Sequence, residues 1–156
     1  LLRRLTTGSA IDIEPSWSPD GKQLAFCSSR GGTPQIYAME VASGEVRRLT
    51  FSGSYNTSPA WSPRGDRIAF AGRIDNHFEV FTMTPDGGNV RQLTAGPGSK
   101  ESPTWSPEGT LLAFSSTGGG SSRIWVMNAD GANQRPIGPA SGHQTEPAWS
   151  GRLGRP

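Results

Sequence analysis

The chain has 156 residues, 21 of them glycine and 13 proline, a turn-rich composition that suits one domain of ordinary size and speaks against long helices. Its 15 basic and 13 acidic residues are scattered, so the formal charge of +2 supplies no basic stripe for nucleic acid. A single cysteine, Cys27, excludes an internal disulfide and a zinc site built on paired thiolates, and no apolar run is long enough to cross a bilayer as a helix.

Taken in chain order, residues 3–6 read as an outer strand that opens the chain. The first full unit follows: an inner strand over 14–18, a turn at Pro19-Asp20-Gly21-Lys22, and a second strand over 23–28. Arg30-Gly31-Gly32 makes the next turn, 35–40 the third strand, Ser43-Gly44 a tight turn, and 45–50 the outer strand. The next two units keep the punctuation, with Arg64-Gly65 and Glu108-Gly109 after Ser-Pro, and Asp86-Gly87 and Asp130-Gly131 before the outer strand. An inner strand over 146–149 closes the series. Cys27, next to the apolar run Leu24-Ala25-Phe26, is expected on a buried strand.

The period behind this order is 44 residues. Trp17, Trp61, Trp105 and Trp149 recur at that step, as do Leu5, Leu49, Leu93 and Ile137, then Phe26, Phe70 and Phe114, then Met39, Met83 and Met127. A period in this range with four short strands per unit is the mark of a β-propeller blade. The prolines that bracket the tryptophans would break any helix there. The expected fold is therefore all-β, with three complete four-stranded blades, an extra outer strand at the start and an extra inner strand at the end. A ring of blades must close to remove its edges, so the chain reads as part of a longer propeller over 1–150, with 151–156 as a tail. The tryptophans are expected in the cores between blades.

Ser18-Pro19-Asp20-Gly21-Lys22-Gln23-Leu24-Ala25-Phe26, Gln35-Ile36-Tyr37 and Arg47-Arg48-Leu49-Thr50 resemble the WD40-like repeat of the TolB propeller family. The stretches 13–21 and 48–59, and Pro147-Ala148-Trp149-Ser150, resemble the C-terminal blades of that family more specifically. The resemblance implies a six-bladed ring in a periplasmic protein of the Tol-Pal system, which serves the cell envelope during division. It implies a non-catalytic surface that binds the peptidoglycan-associated lipoprotein Pal, with colicin translocation segments and TolA as further partners. The other class of function open to such blades is the gating propeller of a prolyl-oligopeptidase-like serine peptidase, whose hydrolase domain would lie outside this chain.

No Gly-x-Ser-x-Gly elbow, His-Glu-x-x-His or phosphate-loop motif occurs in the sequence. His77 reads as a solvated residue of a hairpin over 73–78, and His143 lies too far along the chain to join it in a metal set. The informative variation lies in the loops that enter each inner strand: Asp12-Ile13-Glu14, Asn56-Thr57-Ser58, Lys100-Glu101-Ser102 and Gln144-Thr145-Glu146. Such loops line one mouth of a propeller channel, and residues carried there on a rigid scaffold meet ligands. Asp12, Glu14, Asn56, Thr57, Glu101 and Glu146 are the expected partner-binding residues. Their acidic groups would favour a basic partner or a calcium ion, with Lys100, where the family usually has a carboxylate, weakening the field locally. No other cofactor is expected.

Overall fold

The computed structural model describes residues 2–139 and 141–150. Among these residues twelve strands form three antiparallel four-stranded sheets, each in sequence order. The first blade holds β1 (Asp12–Trp17), β2 (Gln23–Ser28), β3 (Gln35–Glu40) and β4 (Val46–Arg48). The second holds β5 (Asn56–Trp61), β6 (Ile68–Ile74), β7 (His77–Met83) and β8 (Arg91–Gln92). The third holds β9 (Lys100–Trp105), β10 (Leu111–Ser116), β11 (Arg123–Asn128) and β12 (Arg135–Pro136).

The turns form where the sequence supplies their chemistry. Between β1 and β2 the Ser18 hydroxyl donates to Asp20 at 2.6 Å, its oxygen accepts from the Gln23 amide, and the Gly21 amide donates to the Ser18 carbonyl. Gly21 sits at φ 69°, a conformation that a Cβ disfavours. The next two units build the same backbone turn, the Gly65 amide donating to the Ser62 carbonyl at 2.9 Å and the Gly109 amide to the Ser106 carbonyl at 2.8 Å.

Packing follows the 44-residue period. Ala25, Ile36, Leu49, Ile68, Phe70 and Met83 form the core between the first and second blades, with Trp61 and Phe81 packed against it. One period later Ala69, Val80, Leu93, Leu112, Phe114 and Met127 form the core between the second and third, with Trp105 inside and Trp125 against it. The second and third strands of each blade are therefore near-continuous apolar runs, because both faces meet a neighbouring blade. Cys27 is buried on β2, as expected.

Four expectations are corrected. Residues 3–6 and 146–149 form no strand, since among the described residues neither segment has a ladder partner. Leu5 packs instead on the outer cluster of Phe26, Tyr37 and Met39, and the Trp149 indole donates to the Thr104 carbonyl. The outer strands are only three, two and two residues long, against six expected for the first. The side chain of Thr50 takes over where the ladder stops, accepting from the Ile36 amide at 2.9 Å, and Thr94 does the same for Val80 at 2.8 Å. Trp17 is 53% exposed while Trp105 is 7% exposed. Each indole packs on the preceding blade, as Trp105 does in donating to the Ala60 carbonyl, and no described blade precedes Trp17. Residues 151–156 lie outside the described residues.

Candidate partner-binding mouth and the latch between blades

The inner strands share a local distortion at the positions expected to line a mouth. Glu14, Ser58 and Ser102 adopt φ of 55°, 51° and 53°, and the register of each inner strand slips there by one residue. This is a β-bulge, and the proline that follows each bulged residue has no N–H to leave unpaired. Glu146 keeps the same φ, 53°, so the bulge conformation persists without a ladder. The bulge re-aims the side chain along the row of blades. The Glu14 carboxylate accepts from the Ser58 amide at 2.7 Å and from the hydroxyls of Thr57 and Ser58.

Of the six residues expected to bind a partner, the structure assigns three different conditions. Glu146 is exposed and Glu101 half-buried, and among the described residues the Glu101 side chain has no hydrogen-bond partner. Asp12, Glu14 and Thr57 reach the surface already engaged. Asp12 receives the Arg30 guanidinium at 3.1 Å, and that group also lies over the rings of Phe26 and Tyr37 at 5.0 and 5.2 Å. Burial raises the Asp12 carboxyl, but hydrogen bonds from Ser28, Arg30 and Thr6 outweigh it and hold the group below its ordinary value. Asn56 is not at the surface: it is 4% exposed, donating to the Gln35 side chain at 2.8 Å and to the Ser52 carbonyl at 2.9 Å. The rim is consequently less acidic than the sequence suggests, because Arg30 offsets Asp12.

Asn56 belongs to a polar latch that repeats between blades. Gln35 at the start of β3 accepts from Thr50 at 2.7 Å and from Asn56, which enters from the next blade. One period later Glu79 accepts from Thr94 at 2.5 Å and from the Lys100 ammonium at 3.1 Å. Lys100 also donates to the carbonyls of Gly96 at 2.7 Å and Gly98 at 3.0 Å. Lys100 is thus 6% exposed and does not weaken any rim field, which corrects that expectation: its charge is spent on Glu79, itself 1% exposed. His77 opens β7 rather than lying in a loop, and its Nε2 stands 3.2 Å from Glu79. In the third blade Gly138 replaces the threonine, the Gln144 side chain accepts from the Ile124 amide instead, and the Nε of Arg123 is buried without a hydrogen-bond partner among the described residues.

The latch residues Gln35, Thr50, Glu79, Thr94 and Arg123 were missed from sequence, although a signal was present. Gln35, Glu79 and Arg123 are polar positions of fixed period in otherwise apolar strands, Thr50 and Thr94 recur just past the outer strands, and buried polar groups require partners. Among the described residues no group of three or more His, Cys, Asp or Glu side chains is placed to hold a metal ion, so the calcium expectation finds no ligand set there. No helix among them is long and apolar enough to cross a membrane.

Comparison with known proteins agrees with the geometry. A TolB homolog of Chlorobium luteolum is 44% identical over 47 residues, which cover 30% of this chain and 11% of that protein. The Tol-Pal system protein TolB of Bordetella pertussis is 43% identical over 44 residues, covering 28% of this chain and 10% of that protein. The crystal structure of TolB from Acinetobacter baumannii superposes with a TM-score of 0.81 and 33% identity over 92% of this chain, which spans 36% of that one. The family described as the TolB beta propeller domain matches residues 1–153, and the chain belongs to it.

Proposed function

We propose that this chain is the non-catalytic, protein-binding part of a TolB-type propeller, working in the periplasm in maintenance of the cell envelope, and that its partner is a Pal-like lipoprotein. The observation that carries the reading is the family match over nearly the whole chain, supported by relatives named for the Tol-Pal system. The chain spans about a tenth to a third of the relatives it resembles, so the partner is inferred for the propeller alone. Colicin segments that imitate the same contact would compete for it.

The contact surface is the mouth ringed by Asp12, Glu14, Thr57, Glu101 and Glu146, without Asn56. Strands bulged at Glu14, Ser58 and Ser102 carry these side chains or their neighbours, and acidic groups gathered there would favour a basic face on the partner. Glu101 and Glu146 are the residues to vary, because Glu14 also ties the first blade to the second. Calorimetric titration of the propeller with Pal at two salt concentrations tests the reading. Replacing both Glu101 and Glu146 by alanine should weaken binding about tenfold at low salt and flatten its salt dependence. An unchanged dissociation constant removes the acidic rim from the contact, and an absence of any binding by the unsubstituted protein refutes the partner.

A further inference from the structure

The two cores between blades are nearly interchangeable. Ile36, Leu49, Phe70 and Met83 of the first junction are matched one period later by Val80, Leu93, Phe114 and Met127 of the second. Apolar packing alone therefore accepts the third blade against the first almost as well as it accepts the second. Chain connectivity adds little, since lengthening a connection by one blade lowers the chance of closure only about twentyfold. Repeats of this kind misassemble unless something else keeps the blades in order.

The latches differ where the cores do not. At the first junction the pair is neutral: Gln35, fully buried, accepts from Asn56 at 2.8 Å. At the second it is charged: Glu79 holds the Lys100 ammonium at 3.1 Å, both side chains buried. Arg123 takes the place of Gln35 and Glu79 in the third blade, and Asp12 takes the place of Asn56 and Lys100 in the first. Out-of-order dockings then mismatch. The third blade on the first sets Lys100 against Gln35, which carries no charge and whose side-chain oxygen already serves Thr50. Between two copies, the second blade on the first sets Glu79 against Asp12, and the third on the third sets Arg123 against Lys100. A buried charge left unpaired or facing its like disfavours a docking more than about a hundredfold.

We propose that the unlike latches are addresses that fix which blade docks on which. Native order pairs neutral with neutral at the first junction and anion with cation at the second, while the shared apolar cores supply the adhesion. Specificity of this kind lies in what the wrong pairings leave unsatisfied, so it is separable from the strength of either latch. The proposal does not depend on any partner at the mouth.

Making the two latches alike tests this. Glu79→Gln with Lys100→Asn gives both junctions the neutral pair, and Gln35→Glu with Asn56→Lys gives both the charged pair. All four substitutions together exchange the latches and keep them unlike. Each variant is unfolded in urea and refolded by dilution at several protein concentrations. Sedimentation counts misassembled oligomers, and the amide spectrum of the isotope-labelled monomer counts misordered chains as a second set of peaks. Both variants with matching latches should give about fivefold more misassembled material than the parent, while their recovered monomer melts within about 5 °C of it. The fourfold exchange should refold as the parent does. If one matching-latch variant yields no folded monomer even at the lowest concentration, the other decides. Failure of both overturns the proposal, since loss of an address lowers yield rather than stability. It falls equally if a matching-latch variant refolds as cleanly as the parent, or if the fourfold exchange misassembles as much as the other two, which would make each latch a matter of local fit.

Discussion

The buried pair of Glu79 and Lys100 makes the sharpest test of how the blades are joined. At 3.1 Å and an effective dielectric near 20 their gross attraction is about 5 kcal/mol, set against the cost of taking both charges out of water. Lys100→Ala removes the ammonium and leaves the carboxylate, at 1% exposure, with the Thr94 hydroxyl and the His77 ring. Breaking such a pair typically costs about 3 to 5 kcal/mol, and the remaining partners place the expectation at about 3. In urea, with an m-value of roughly 1.5 kcal/mol/M, the unfolding midpoint should fall by about 2 M. The neighbouring junction supplies the rescue. Gln35 and Asn56 occupy the same places one period earlier, and Asn56 bonds to Ser52 as Lys100 does to Gly96. The double substitution Glu79→Gln with Lys100→Asn should therefore recover to within about 1 kcal/mol of the parent. A loss below about 1 kcal/mol for Lys100→Ala, or a double variant no better than the single one, would refute the latch as a holding element.

Three further outcomes are expected. Trp61→Ala should cost about 3 kcal/mol and Trp17→Ala under about 1, as read from unfolding midpoints, because the first indole packs against a core and the second is more than half exposed. The folded-state value of Asp12 is depressed, so its contribution to stability is full above the ordinary carboxylate value near 3.8 and is lost as pH falls through the lower folded value. Asp12→Asn should accordingly lower stability at neutral pH and flatten the acid limb of a melting-temperature profile. Cys27 should react with a thiol reagent more slowly than free cysteine, since burial pushes its thiol up and disfavours the thiolate, and rates that match free cysteine would contradict its placement.

The 44-residue period determined the blades, their strand order and both inter-blade cores, because each core is one set of apolar positions copied by the repeat and apolar burial needs no specific partner. Turn chemistry was equally local: Ser-Pro-Asp-Gly carries its own hydrogen bonds. Polar residues were another matter. The chain shows that Asn56 and Lys100 are repeat-equivalent, but not that they reach back across a junction to Gln35 and Glu79, because those contacts join residues 21 apart that belong to different sheets. The same gap in the sequence hid the bulge that turns Glu14 onto Ser58 and the arginine that neutralises Asp12. Exposure of Trp17 likewise depended on what lies beside it rather than on what it is. Position along the strand was decided by the sequence, whereas the availability of a polar or aromatic group to a partner was decided by which neighbour the folded blades place against it.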